Sequence, residues 1–310
     1  MFKFIVKRII HMLVALFFIV TITFFMMRLA PGNPFASDNQ RMTPAIQKQL
    51  NKAYGLDDPW YVQYGNYLKN TAQFDFGESM KYKGRSTNKM IADSFPVSLA
   101  LGGQALFIAV GLGVLLGVIS AMYHNQAGDY LATIIAVLGI SVPSFIIAGL
   151  LQYTFGLKLQ VLPISGWNTW AHRVLPSLAL GLGYMGNIAK MTRSSLLEQN
   201  SSEYVKLARA KGLKKWAVVF KHSLRNALLP VITYLGPLAA GIVTGSFVVE
   251  NIFAIPGLGK HFVTSINNRD YTVIMGTTVF YAILLLLAVL IVDILYILVD
   301  PRIQLEGADE

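Results

Sequence analysis

From Val97 to Met122 the chain carries no charged side chain, and the run exceeds the roughly 20 apolar residues that a helix needs to cross a bilayer. In lipid such a helix satisfies its backbone polar groups internally, whereas in water it would have to be wrapped in protein on every side. Further stretches have the same character at about Ile9 to Met27, Leu131 to Tyr153, Leu175 to Met191, Ala227 to Val249 and Val273 to Val299. Only 14% of the residues are charged, against about 25% in ordinary globular proteins, and mean hydropathy is +0.52. The expected fold class is an all-α integral membrane protein with six transmembrane helices.

Basic residues orient such a chain, because Lys and Arg in short loops stay on the cytoplasmic side. Lys3, Lys7 and Arg8 place the N-terminus inside. They could also open a signal peptide, but the apolar core that follows is longer than an h-region and no A-x-A site succeeds it, so the helix is read as retained. Six crossings put the C-terminus inside too, together with a loop holding Lys190, Arg193, Lys206, Arg209, Lys211, Lys214, Lys215, Lys221 and Arg225 against Glu198 and Glu203. These two regions carry the whole formal excess of +10. In a soluble chain that charge would suggest nucleic acid; here it is a topology signal, and no nucleic-acid partner is expected. The loop from Tyr123 to Asp129 has no Lys or Arg and does not inform topology.

The chain divides into residues 1–96, a helix plus a partly helical external loop; 97–303, a five-helix core containing the inner loop 193–226; and a cytoplasmic tail, 304–310. In the external loop Thr43-Pro44 reads as an N-cap with proline at the first helical position, and Gly55 is placed to end the helix. Asp58-Pro59 repeats the start signal, and Trp60, Tyr64, Tyr67 and Leu68 then share a face that packs on the ends of the membrane helices or docks an external partner. Ala109, Gly113 and Gly117 form a small-residue row suited to close helix packing. Pro143 and Pro163 break or bound the third span, while Pro176 and Pro230 are expected at the starts of the fourth and fifth.

Catalytic chemistry has little to stand on. The chain has no cysteine, and its histidines (His11, His124, His172, His222, His261) are too dispersed for a metal site. Gly181, Gly183 and Gly186 match G-x-G-x-x-G, but inside an apolar span, where helix packing explains them. The stretch Ala254 to His261 lacks the first glycine and the Ser or Thr of a phosphate-binding loop, so ATP, if used, is bound by another chain. Asp293 lies toward the inner end of the last span, fitting a structural pair or an interfacial position better than a proton relay. No catalytic residue, metal or cofactor is expected on this chain.

The inner loop differs in kind. Glu203 to Leu213 reads as a short helix with Tyr204, Leu207 and Ala208 on one face, an acid in the first turn, and Gly212 as its stop. Lys214 to Leu229 reads as a second helical stretch leading to Pro230. Small residues within a charged helix suit docking of a cytosolic protein; a basic amphipathic helix lying on anionic headgroups is the alternative.

At these residues the chain resembles the permease subunits of ATP-binding cassette importers. The family's cytoplasmic EAA loop has an acid, a glycine nine residues later, and a leucine-proline end; this chain has Glu203, Gly212 and Leu229-Pro230, with Tyr204 and Val205 in place of the two alanines. Glu250 to Gly259, Arg269-Asp270-Tyr271, Asp300-Pro301-Arg302 and the opening Arg28 to Pro34 resemble the peptide and nickel branch. Phe74 to Lys83 and Gly139 to Phe145 are most similar to its B-type oligopeptide permeases. The resemblance implies an importer of peptides, with dipeptides, nickel or metal-chelator complexes as alternative cargo. It also implies a second homologous permease, two cytosolic ATPase subunits carrying ATP and magnesium, and an external substrate-binding protein. Contact with the ATPases would fall to Glu203, Tyr204, Leu207, Ala208, Arg209, Lys211, Gly212 and Leu213. An ion-coupled secondary transporter would share the spans but would place polar residues near their centres, where few charges occur.

Overall fold

The structure is a computed structural model, and it describes residues 2–29, 35, 43–243 and 247–299. Ala30 to Pro34 of the opening motif, Asp300-Pro301-Arg302 and the tail 304–310 lie outside the described residues. Among those described every regular element is helical, and a lone bridge joins Glu78 to Ser86. They fall into two units, residues 2–97 with 256–290, and 98–255 with 291–299.

The first unit opens with α1 (Phe2–Leu29), followed by α2 (Pro44–Ala53) and α3 (Trp60–Ala72). Thr43 caps α2 with proline next to it, and Gly55 follows its end at φ +64°. Pro59 is the N-cap of α3, so that helix begins one residue later than its start signal predicts. The aromatic face of α3 meets α1: Tyr67 stacks on Phe24 at 5.7 Å between ring centroids, Trp60 lies 6.0 Å from Phe25, and the Tyr64 hydroxyl hydrogen-bonds Thr21 at 2.7 Å. Packing on α1 therefore uses the face whose role the sequence left open.

Farther along the same unit come α13 (Leu258–Asn268) and the start of α14 (Tyr271–Val299). Between them Arg269 is left-handed at φ 58° and Asp270 is buried. The Asp270 carboxylate accepts hydrogen bonds from the Ser79 hydroxyl and, at 3.1 Å, from the Met80 amide. Arg269-Asp270-Tyr271 thus ends one helix, starts the next and ties down the Ser79 turn.

The second unit holds most of α4 (Thr87–Met122), then α5 (Ala127–Ser141), α6 (Ser144–Leu151) with a π-helical continuation Gln152–Lys158, and α7 (Trp170–Asn200). Proline 143 breaks the third expected span, and the axes on either side differ by 108°. Pro176 does not start its helix: α7 begins at Trp170, and Pro176 lies inside it. Thr169 caps that start, its hydroxyl 2.8 Å from His172 Nδ1, and the Arg173 guanidinium sits over the rings of Trp167 and Trp170, at 4.9 and 4.8 Å.

Helices α4, α5 and α7 approach at glycine. A Cβ on Gly113 would sit 2.8 Å from the Met185 carbonyl oxygen, and one on Gly117 2.7 Å from that of Ala189. In return Gly181 faces the Ala105 oxygen and Gly186 the Ala136 oxygen, at 2.8 and 2.1 Å. Gly181 and Gly186 of the G-x-G-x-x-G match thus serve helix packing, whereas a Cβ on Gly183 would meet only the Gly139 oxygen, at 4.0 Å. Lipid offers no hydrophobic drive between helices, so such close backbone approach supplies the association.

Among the described helices, α1, α4 and α14 are each long and apolar enough to cross a membrane, and the bent pair of α5 with α6 and its continuation makes a fourth candidate. Helices also occupy the other two expected spans. α7 is more polar, having α4, α5, α6, α11 and α12 as neighbours in place of lipid along much of its surface. α11 (Leu229–Val243) is short, with α12 (Phe247–Ile252) after it. Length and composition alone do not make either a span.

Candidate docking site at Glu203–Leu213

α7 ends at Asn200, and two serines later α8 (Glu203–Ala210) begins, with Ser202 as N-cap. Glu203 sits in the first turn, favourable to the helix dipole, and pairs with Lys206 at 2.8 Å. Both side chains are largely exposed, so the pair contributes roughly 0.5 kcal/mol at most.

The end of α8 is a Schellman turn. Gly212 at φ +79° donates its N–H to the Arg209 carbonyl at 2.9 Å, and Leu213 donates to Ala208 at 3.4 Å. A Cβ on Gly212 would meet nothing within 4 Å. Within this chain the glycine is thus required by its backbone angle, not by lack of room.

The expected second helical stretch is not one α-helix. It consists of α9 (Lys215–Val218), a π-helical turn Val219–Ser223, α10 (Leu224–Ala227) and a turn at Leu228 before α11. The π turn adds a residue to the helical repeat, and its neighbourhood lets consecutive valines serve two cores. Val218 packs with Val205 and Ala208 of α8; Val219 packs with Leu196 of α7, Val118, Ala121 and Met122 of α4, and Ala227.

Polar contacts complete the seat. The Tyr204 hydroxyl donates to Gln199 Oε1 at 2.6 Å and accepts from Asn226 Nδ2 at 3.2 Å, while Ser223 donates to Asn200 Oδ1 at 3.2 Å. Of the residues singled out in sequence, Ala208 is 6% exposed and faces inward; Glu203, Tyr204, Leu207, Arg209, Lys211, Gly212 and Leu213 are exposed. Leu207 (58%), Trp216 (51%) and Phe220 (54%) present apolar surface on an otherwise basic segment. Trp216 and Phe220 stack with 5.5 Å between centroids. The arrangement is a helix fastened along one side, with Leu207 exposed on it and Trp216 and Phe220 exposed on the segment that follows.

Sequence pattern alone does not pair Asp129 with Arg193. Asp129, in the first turn of α5, is 3% exposed and is gripped by Arg193 of α7, Nε to Oδ1 and a terminal nitrogen to Oδ2, both at 2.9 Å. The Ser120 hydroxyl and the Asn125 amide, the latter at 2.9 Å, also donate to it, and His124 Nδ1 lies 3.2 Å away. A bidentate, charge-assisted pair of this kind fixes two helices in angle as well as distance. The only sequence hint is an acid and a base at matching ends of two expected spans. Among the described residues no group of three His, Cys, Asp or Glu could hold a metal ion.

Residues 113–305 match the model described as binding-protein-dependent transport system inner membrane component, and residues 1–102 match its N-terminal companion. The dipeptide transport system permease protein DppB of Bacillus subtilis (strain 168) is 49% identical over 305 residues, 98% of this chain and 99% of that protein. The oligopeptide transport system permease protein OppB of Escherichia coli (strain K12) is 44% identical over 306 residues, 98% of this chain and 100% of that one. A chain of the MetNI methionine ABC transporter in an inward-facing conformation superposes with a TM-score of 0.50 at 18% identity, over 66% of this chain and 95% of that chain, a likeness of fold.

Proposed function

We propose, from the premise that this chain belongs to the family of binding-protein-dependent transport system inner membrane components, that it takes up peptides as one permease subunit of an ATP-driven importer. Its place is the cell membrane. Six spans with both ends cytoplasmic remain the proposed topology, supported by the Lys and Arg of the α7–α11 loop. A second permease, two cytosolic ATPases holding ATP and magnesium, and an external binding protein complete the proposed assembly. No group on this chain does chemistry on the cargo; alternating exposure of a path moves it.

Relatives of both dipeptide and oligopeptide systems match, at 49% and 44% identity, a difference too small to choose between them. Peptides are therefore the cargo proposed, with oligopeptides as the narrower expectation; competition between a dipeptide and a pentapeptide in an uptake assay decides it.

The observation that carries the mechanism is the seating of α8. Fastened by Val205, Ala208 and Tyr204, it would transmit a push on Leu207, Arg209 and Lys211 into α7 and the segment leading to α11. Because the chain has no cysteine, Leu207→Cys creates a unique thiol. It is expected to crosslink to the co-assembled ATPase, whereas Val205→Cys, fully buried, is not. Quenching of a label at Leu207→Cys by lipid-borne spin probes, with no crosslink, would instead place α8 on headgroups.

Gly212 supplies a second test. A left-handed non-glycine residue costs roughly 1–2 kcal/mol, so Gly212→Val should loosen the turn and lower peptide uptake per ATP hydrolysed with subunit assembly intact. Gly212→Asn tolerates the angle and should recover most uptake. If Asn uncouples as fully as Val, the glycine is needed for room against the ATPase.

A further inference from the structure

A cavity of about 360 Å³ opens among α4, α5 and α7 beside the Asp129–Arg193 pair. Its lining includes the polar Asn125, Tyr130 and Lys190 beside that pair and the apolar Leu116, Ala136 and Ala189. The two charges of Asp129 and Arg193 cancel within their bidentate contact, which leaves Lys190 as the excess cation at the rim. Lys190 is exposed and makes no ion pair with any described residue.

Depth matters as much as charge. Lys190 lies where the apolar part of α7 gives way to Arg193 and Glu198, and Tyr130 lies where α5 turns apolar at Leu131. Tyr130 is 60% exposed, and exposed tyrosine and lysine at such a boundary are the usual anchors at headgroup level. In the proposed topology this is the cytoplasmic leaflet, whose anionic lipids are drawn to basic pockets between helices.

We infer that this cavity binds the headgroup of an anionic phospholipid, with Lys190 on the phosphate, the exposed edge of Arg193 and the Asn125 side chain beside it, and the glycerol end of an acyl chain over Ala136 and Leu116. The single uncompensated positive charge matches the single negative charge of a phosphodiester such as phosphatidylglycerol. A zwitterionic headgroup would bring its own cation to the rim and lose that match. The bound lipid would brace the junction from which α7 continues toward α8. The site does not depend on the identity of the cargo or on the ATPase contact, so its test stands apart from uptake.

The test is native mass spectrometry of the delipidated, fully assembled transporter titrated with phosphatidylglycerol, phosphatidylcholine or inorganic phosphate. The wild-type assembly is expected to retain one phosphatidylglycerol with about tenfold preference over phosphatidylcholine. Lys190→Gln should reduce retention to the phosphatidylcholine level, Lys190→Arg should keep it, and Lys206→Gln, at an exposed cation on α8, should leave it unchanged. Equal retention by wild type and Lys190→Gln would overturn the assignment. So would displacement of the lipid by millimolar inorganic phosphate, which marks an open anion site, or by peptide, which marks part of the cargo path.

Discussion

Gly186→Val is expected to remove folded protein from the membrane, while Gly183→Ala three positions away on the same helix leaves it nearly at wild-type level. At Gly186 a Cβ would lie 2.1 Å from the Ala136 carbonyl oxygen, with Ile140 side-chain carbons at 2.5 and 2.9 Å. The nearest obstacle is backbone, so no rotamer change relieves it; α5 and α7 must separate. Separation breaks the matching approaches at Gly139 and, through α7, loosens those at Gly113 and Gly117. Overpacking commonly costs about 1–3 kcal/mol, and a clash with a carbonyl at the centre of a three-helix contact belongs at or beyond the upper end. At Gly183 the nearest atom to a Cβ is the Gly139 oxygen at 4.0 Å, an ordinary contact. Membrane-fraction abundance and the thermal midpoint of the purified assembly check both. Equal tolerance of the two substitutions would mean that α5 and α7 do not approach as closely as this.

The contrast shows what sequence can reveal here. The small-residue rows at Ala109, Gly113 and Gly117 and at Gly181, Gly183 and Gly186 are visible as patterns, but not which glycine faces a carbonyl. Local signals were legible: Thr43-Pro44, Gly55 and Gly212 act within one turn of where they stand. Pro176 suits a first turn by its missing N–H, yet α7 starts farther back because Thr169, paired with His172, caps it there. α8 offers two adjacent apolar stripes, Val205 with Ala208 and Tyr204 with Leu207. Helical periodicity presents both equally, and only Val218, at the end of α9, selects the first as the buried one. Ala208 accordingly packs inward with Val205 and Val218. The six apolar runs are legible because lipid imposes length and composition directly; the 108° break at Pro143 is not, because proline sets only that a helix is interrupted.

The partnership of Asp129 and Arg193 joins residues far apart in sequence, and it yields the other large effect. Asp129→Leu alone leaves a guanidinium facing Ser120, Asn125 and an emptied site. Breaking a buried pair from one side costs about 3–5 kcal/mol; with the Arg193 side chain 31% exposed, water recovers part of that, and about 2–4 kcal/mol is expected. Arg193→Met alone strands a carboxylate that is 4% exposed, although the Ser120 hydroxyl and Asn125 amide still hold it, so its loss should be the smaller. The double variant Asp129→Leu/Arg193→Met removes both charges and should recover most of the stability, since apolar replacement of a buried pair is often neutral. A double-mutant cycle on thermal midpoints of the assembly should therefore show strong coupling. Additive losses would mean that each side chain acts through separate contacts and that the pair does not hold α5 against α7. Peptide uptake separates stability from mechanism: if the double variant is stable but takes up less peptide per ATP, the angle that the bidentate contact sets between α5 and α7 matters to the motion passed on from α8.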